Sequence, residues 1–396
     1  MNDNVIILGA GSSFDAHVPL SAGFVNKIRE FANKGSSDEG PLSDIDKEIF
    51  LNALKVLKSI EKYHSHAEFD DRNIEDILSI LSFNIIGNPQ TEKSSMEWMI
   101  KAIARTIELT CNVKHNGELN KPQGNMQSLY KTFWINLFNR FNDSKNIPTI
   151  VTFNYDLVLE RALFQLLINS NAAETPIEFD GFVIRYYYKF LEKLSYKIVK
   201  TIYTVPTLND PFGKRRGMKL ERCDEKDLGK FKGIEILKLH GSLNFPKQLE
   251  GDTLEYRSPT NLVSEPFIIP PISDKSISAD TEEIWRVALN NLKSAKNIVI
   301  VGYSLPRTDT YIQYFLKTAL GSNTDLENIT VFNPDLVSDT KTSKEMRERY
   351  GSCFSRQVND RLINFTPHHE ASTLTHEESF EHFVSEITNP QNGLFY

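Results

Sequence analysis

His240 stands in the stretch KLHGS, at the end of an apolar run and directly before Gly241. Of the nine histidines it is the one set between a strand end and a glycine turn. An imidazole held there can work near pH 7 as a general base. A second reactive pair, Asn154 and Asp156 in TFNYD, follows another apolar run. An amide at a strand end suits hydroxyls or a carboxamide better than it suits a core. Asp156 also has an ordinary reading, as the cap of the helix DLVLERALFQLL that starts at once behind the pair. The third segment is GAGSS, made of Gly9, Ala10, Gly11, Ser12 and Ser13. Glycines at a strand end let the backbone approach a pyrophosphate, and a following helix N-terminus offers free N–H groups. This is part of a dinucleotide fingerprint: Phe14 stands where the last glycine would be, and no acidic residue closes a second strand about twenty positions on. Gly302 and Ser304 in VGYSLPRTD, and Asn333 in FNPD, complete the set.

Such residues need elements that carry them to one place. Val5–Leu8, PTIVTF at 148–153, EILKL at 235–239, NIVIVGYS at 297–304 and NITVFNP at 328–334 are apolar, mostly β-branched runs. They read as strands buried on both faces of a parallel sheet. Each is followed by small or polar residues, and most then by a helical pattern. The expected fold class is therefore α/β, a doubly wound, Rossmann-like parallel sheet that binds its ligand at the strands' C-terminal ends. All five strand ends carry residues able to bind phosphate, ribose or adenine, which points to a nucleotide site.

Between the first two strands the sequence reads almost wholly as helix. Phe50, Leu54, Leu57 and Ile60 share a face, as do Ile74, Ile77, Leu78 and Leu81, then Met96, Met99, Ile100, Ile103 and Ile107, then Leu129, Phe133, Leu137 and Phe141. Residues 38–145 are expected to form an inserted helical module, with polar seams at 34–43 and 112–126, leaving 1–37 and 146–396 as the sheet domain. A bundle there would sit over the sheet edge. A second insertion spans about 170–233. Its aromatic segment 184–198 fits a helix or a hairpin, 205–228 reads as loop, and 246–283 reads as an irregular excursion.

The net charge of −7 gives no general pull toward nucleic acid or anionic lipid. KRR at 214–216 reads as a solvated loop. Cys111, Cys223 and Cys353 form no CxxC pair, which excludes a four-thiolate zinc site and makes a reducing cytoplasm the expected location. No apolar run is long enough for a signal peptide or a membrane span.

The order and content of these loops resemble the sirtuin fold family. Its pattern runs Gly-Ala-Gly-x-Ser, an Asn-x-Asp strand end, His-Gly, Gly-x-Ser and an Asn-containing loop. The resemblance implies that Gly9, Ala10, Gly11 and Ser13 form a phosphate-binding turn with Ser12 between them. It implies that Asn154 and Asp156 contact ribose and nicotinamide, that His240 is catalytic, and that Gly302, Ser304 and Asn333 hold the adenosine side of NAD. The chain departs from the sirtuin deacylases at two features on which their acyl-lysine channel depends. His17-Val18-Pro19 leads into Leu20-Ser21-Ala22 instead of the Gly-Ile-Pro-Asp-Phe-Arg stretch, and the zinc cysteines are missing.

With a helical insertion in place of zinc, the chain is similar to sirtuin-like NAD-hydrolysing effectors of prokaryotic antiviral defence. That likeness implies NAD as substrate, no metal, water as nucleophile, and nicotinamide and ADP-ribose as products. A cell cannot tolerate free NAD hydrolysis, so an off state held by a homo-oligomer or a regulatory, phage-sensing partner is expected, docked on the stripes of 38–145 or on 184–198. The alternatives are a protein deacylase or ADP-ribosyltransferase using the same site, and a non-catalytic module that binds NAD or an ADP-ribose derivative.

Overall fold

A computed structural model of the chain describes residues 2–114, 126–142, 144–169, 180–204, 214–224, 226, 231–248, 259–270, 278–307, 309–336, 340–366, 378–389 and 394–395. All five residues of β1 (Asn4–Leu8) are buried, the apolar run Val5–Leu8 and polar Asn4 alike, so helices must cover both faces of its sheet. The other strands are β2 (Ser36–Ser37), β3 (Gly40–Pro41), β4 (Thr149–Thr152), β5 (Gly181–Tyr188), β6 (Leu191–Thr204), β7 (Lys214–Arg222) and β8 (Phe231–Lys238). They continue with β9 (Gly241–Pro246), β10 (Pro266–Ile268), β11 (Asn297–Val301), β12 (Asn328–Phe332) and β13 (Ile363–Thr366). The central sheet has the order β13-β12-β11-β1-β4-β8-β5-β6-β7. Its strands run parallel from β13 to β5, and β6 and β7 add to that edge in antiparallel sense.

The helices of the first half are α1 (Ser21–Lys34), α2 (Asp44–Glu61), α3 (Ile74–Gly87), α4 (Pro89–Thr110), α5 (Met126–Arg140) and α6 (Val158–Asn169). Ser43 caps α2 by accepting from the Asp46 N–H at 3.1 Å, Asn73 caps α3 through the Glu75 N–H at 3.0 Å, and Pro89 opens α4. Asp46 holds Arg105 of α4 through bonds of 2.5 and 3.0 Å, tying α2 to α4. The helical stripes are buried as their spacing requires, with Leu54, Ile100, Leu129 and Phe141 half-buried at the margins. Their buried members belong to the same apolar cluster as the sheet strands, so helices α2 to α5 share a core with the sheet. Later in the chain come α7 (Glu282–Ser294) and α8 (Thr310–Leu320).

Several local expectations change. The aromatic segment 184–198 lies in a hairpin, β5 and β6: Tyr186 and Tyr188 are fully buried, with Tyr188 stacked on Phe245 at 4.2 Å, while Tyr187 and Phe190 are half-buried. Residues 214–222, KRR included, form strand β7 in place of the expected loop, because β6 supplies a partner along nine register positions. A polar segment carries no local sign of such a partner. Residues 205–213 of that expected loop lie outside the described residues. So do 115–125 of the seam at 112–126, and 249–258 and 271–277 of the excursion at 246–283. The other seam, 34–43, holds the short β2–β3 ribbon. After β8 no helix follows; Gly241, at φ +86°, turns the chain directly into β9.

Candidate functional site

The register brings the five loops together. Leu8 is aligned with Thr152 on one side and Val301 on the other, Thr152 with Lys238, and Val301 with Phe332. Five parallel strands therefore end at one level, and the residues after them, Gly9, Phe153, Leu239, Gly302 and Asn333, emerge along one edge. A cavity of about 340 Å³ lies there. Ala10, Gly11, Asn154, Asp156, His240, Gly302, Ser304 and Asn333 all line it. Three expected residues do not: Gly9 packs under Gly302, and Ser12 and Ser13 face Asn154 from behind.

Asn154 is a clasp as well as a lining residue. Its Nδ2 donates to the Gly9 carbonyl at 2.9 Å, to Ser13 Oγ at 3.0 Å and to Ser12 Oγ at 3.2 Å, joining the end of β4 to the turn after β1. Asp156 has the capping role: its Oδ1 accepts from the Val158 N–H at 3.1 Å, and it lines the cavity too. Asn333 caps a short 3-10 turn by accepting from the Asp335 N–H at 3.0 Å. His240 is 5% exposed, with its ring 5.3 Å from that of Phe153 and 6.3 Å from that of Trp285.

The glycine turn is built differently from expectation. Directly after β1 the chain forms a seven-residue 3-10 helix, Ala10–Ala16, and three of the nearby N–H groups are already engaged. Gly9 N donates to Val301 O at 2.9 Å, Gly11 N to Gly302 O at 2.9 Å, and Ser12 N to Gly9 O at 3.0 Å. The reason is close contact between two glycine turns. A Cβ on Gly9 would meet the Gly302 carbonyl at 2.6 Å, and one on Gly302, which sits at φ +64°, would meet Ser12 N at 2.4 Å. Gly302→Ala is accordingly expected to destabilise the fold by about 2–4 kcal/mol, from a left-handed alanine plus backbone overlap. Thermal melting reads this, and an unchanged midpoint would show that the two turns can separate without loss.

The lining also contains residues that sequence reasoning did not select. Helices α3 and α4 contribute Ile74, Glu75, Ile103 and Ile107, so the helices between β1 and β4 form one wall. Ser21 Oγ donates to Glu75 Oε1 at 3.0 Å, and Tyr303 OH donates to buried Asp309 at 2.7 Å. Phe153, Tyr155, Tyr303, Asp309 and Asp335 complete the polar and aromatic surface. Phe153 and Tyr303 lie within segments singled out in the sequence, whereas Glu75 had no local signal because its helix reads as a core stripe. Burial pushes the phenols of Tyr155 and Tyr303 up, with the charges of Glu75 and Asp309 adding to it, so both remain hydrogen-bond donors at neutral pH.

A second, fully buried polar group supports the strand ends. Lys238 of β8 reaches Glu160 of α6 at 3.0 Å and donates to the Asp156 carbonyl, and Tyr186 OH donates to Glu160 at 3.3 Å. Burial pushes the Glu160 carboxyl up, against the opposing pull of the Lys238 ammonium. From α5, Tyr130 OH donates to the Ser12 carbonyl at 2.9 Å and fixes the turn from its far side.

Among the described residues no group of three or more His, Cys, Asp or Glu is placed to hold a metal ion, and no helix is long and apolar enough to cross a membrane. No protein-family model matches the chain, and no curated protein matches it.

Proposed function

We propose that the cavity binds NAD and that the chain hydrolyses its N-glycosidic bond, releasing nicotinamide and ADP-ribose. The observation that carries this reading is the convergence of five strand-end loops on one cavity that holds an amide, a carboxylate and an imidazole together. Breaking the bond creates an oxocarbenium-like ribose, which oxygen dipoles stabilise and water captures. The Gly9 carbonyl can only accept a hydrogen bond, so the Asn154 atom facing it is the NH₂ group. The amide oxygen is then left to orient a water or a ribose hydroxyl. His240 takes the proton of that water or hydroxyl, and Asp156 orients the nicotinamide carboxamide or Asn154.

On this reading the helices spanning 38–145 are an inserted module that closes over a doubly wound, sirtuin-like domain, and the chain is an antiviral effector that depletes cellular NAD. An off state held by an oligomer or a regulatory partner has an available contact on α3. Phe83 and Ile86 are 71% and 78% exposed there, on the helix whose first turn supplies Glu75 to the cavity. Incubating the purified chain with NAD and following nicotinamide release tests the reading. The expected result is release that does not need an acylated peptide. Release dependent on the peptide would make the chain a deacylase, and binding without release would make it a non-catalytic sensor.

A further inference from the structure

We propose that the outer part of the β6–β7 ribbon is a basic arm that binds double-stranded DNA. This goes beyond the proposed function and does not rest on it, because the arm leaves the sheet on the side away from the cavity.

The pairing register shows where the arm begins. From Leu191 to Lys197 strand β6 pairs with β5, ending opposite Gly181, the first residue of β5. The Ile198 N–H still reaches the Asp180 carbonyl, at 2.8 Å. From Val199 to Thr204 the ladder partner of β6 among the described residues is β7 alone, from Val199 opposite Lys219 to Thr204 opposite Lys214. Strand β5 is parallel to β8, and β6 is antiparallel to β5, so this stretch runs past the N-terminal end of β5. The cavity lies at the C-terminal ends. Six residues in each strand, at about 3.4 Å apiece, give an arm roughly 20 Å long. Its β6 half, VKTIYT, is mostly β-branched and favours a strand by itself, whereas KRRGMK follows by pairing. Helix α6 supports the base, where its Phe164 ring meets that of Tyr196 at 4.9 Å, and Tyr196 stands opposite Arg222.

Charge is segregated along the same boundary. Residues 199–204 and 214–219 hold five cationic residues, Lys200, Lys214, Arg215, Arg216 and Lys219, and no Asp or Glu, in a chain of net charge −7. At the base the signs balance, with Lys197 opposite Glu221. Salt limits the reach of an exposed charge to about 8 Å, so an approaching polyanion responds to the arm and not to the chain's net charge. The register divides the cations between the two faces. Lys200, Lys214 and Arg216 fall at positions of one parity, and Arg215 and Lys219 at positions of the other.

That distribution selects the partner. The major groove of a DNA duplex, about 12 Å wide, admits a two-stranded ribbon and has phosphates along both of its walls. A flat anionic membrane would meet one face of the arm only. The deep, narrow major groove of an RNA duplex excludes such an element. Single strands are held on stacked aromatic side chains, and the arm has one aromatic residue, Tyr203.

The test is fluorescence anisotropy of a labelled DNA duplex of about 20 base pairs with the full-length chain, at about 50 and 200 mM salt. The duplex should bind at the lower salt and lose at least tenfold in affinity at the higher. The combined variant Arg215→Gln, Arg216→Gln and Lys219→Gln should bind at least tenfold more weakly, with melting temperature and any NAD cleavage unchanged. Arg216→Gln alone should reduce the slope of log affinity against log salt by about one, and it carries the test if the combined variant does not fold. Single-stranded DNA of the same length, vesicles of phosphatidylserine and phosphatidylcholine in equal parts, and polyglutamate are measured alongside. No binding of the duplex at the lower salt, or variants that bind it as the parent does, overturns the proposal. So does tighter binding of the single strand, arm-dependent binding of the vesicles in place of the duplex, or equal competition by polyglutamate.

Discussion

His240→Ala is expected to lower NAD cleavage by about 10²–10⁴-fold, the usual contribution of a placed general base. The fold should survive. The backbone around His240 is held by bonds that need no side chain: Leu239 N to Thr152 O at 3.0 Å and Ile269 N to His240 O at 2.9 Å. Removing the ring does leave a gap between Phe153 and Trp285, so melting must be followed beside activity. Partial recovery of cleavage on adding free imidazole to the folded variant would tie the loss to proton transfer. Near-normal cleavage would remove His240 from the chemistry. Asn154 is a poorer first test, since its amide joins β4 to the glycine turn and its loss would disturb geometry and chemistry together.

Lys238→Met should cost about 3–5 kcal/mol of folding stability, because it strands a buried carboxyl that has lost its cation. Lys238 is 1% exposed and Glu160 0%, so water cannot replace the lost contact. The ammonium also anchors the Asp156 carbonyl, so the surviving folded protein should cleave NAD more slowly. Urea denaturation of the single variant and of Lys238→Met combined with Glu160→Leu separates pairing from packing. The double variant should recover most of the stability, since an apolar pair of similar volume often replaces a buried ion pair without loss. A single variant within about 1 kcal/mol of the parent would show that the pair does not hold the strand ends.

The sheet was legible because its strands are buried on both faces, and burial leaves an unbroken apolar run that needs no long-range information. The added strands were less so. Residues 214–222 are polar and become a strand through their pairing with β6. The short edge strand Ile363–Thr366, only partly buried, left no comparable signature. The hairpin at 184–198 was ambiguous because a segment crowded with aromatic residues has no single period, and Phe245, which stacks on Tyr188, comes from a different part of the chain.

By itself the sequence determined which groups stand at the strand ends: the glycines at 9, 11 and 302, Asn154, Asp156, His240 and Asn333. Each lies directly behind its strand, and parallel register then carries all of them to one edge. Tertiary structure alone decided which further groups join them at that edge. Glu75 arrives from a helix that reads as plain core, and Asp309 lines the cavity while accepting a bond from Tyr303. The N–H groups of the glycine turn lose their freedom to carbonyls nearly three hundred residues away, at Val301 and Gly302. An electrostatic environment is a sum over neighbours in space, and the partner of an N–H is whichever acceptor packs against it. Neither quantity has a local signature in the chain.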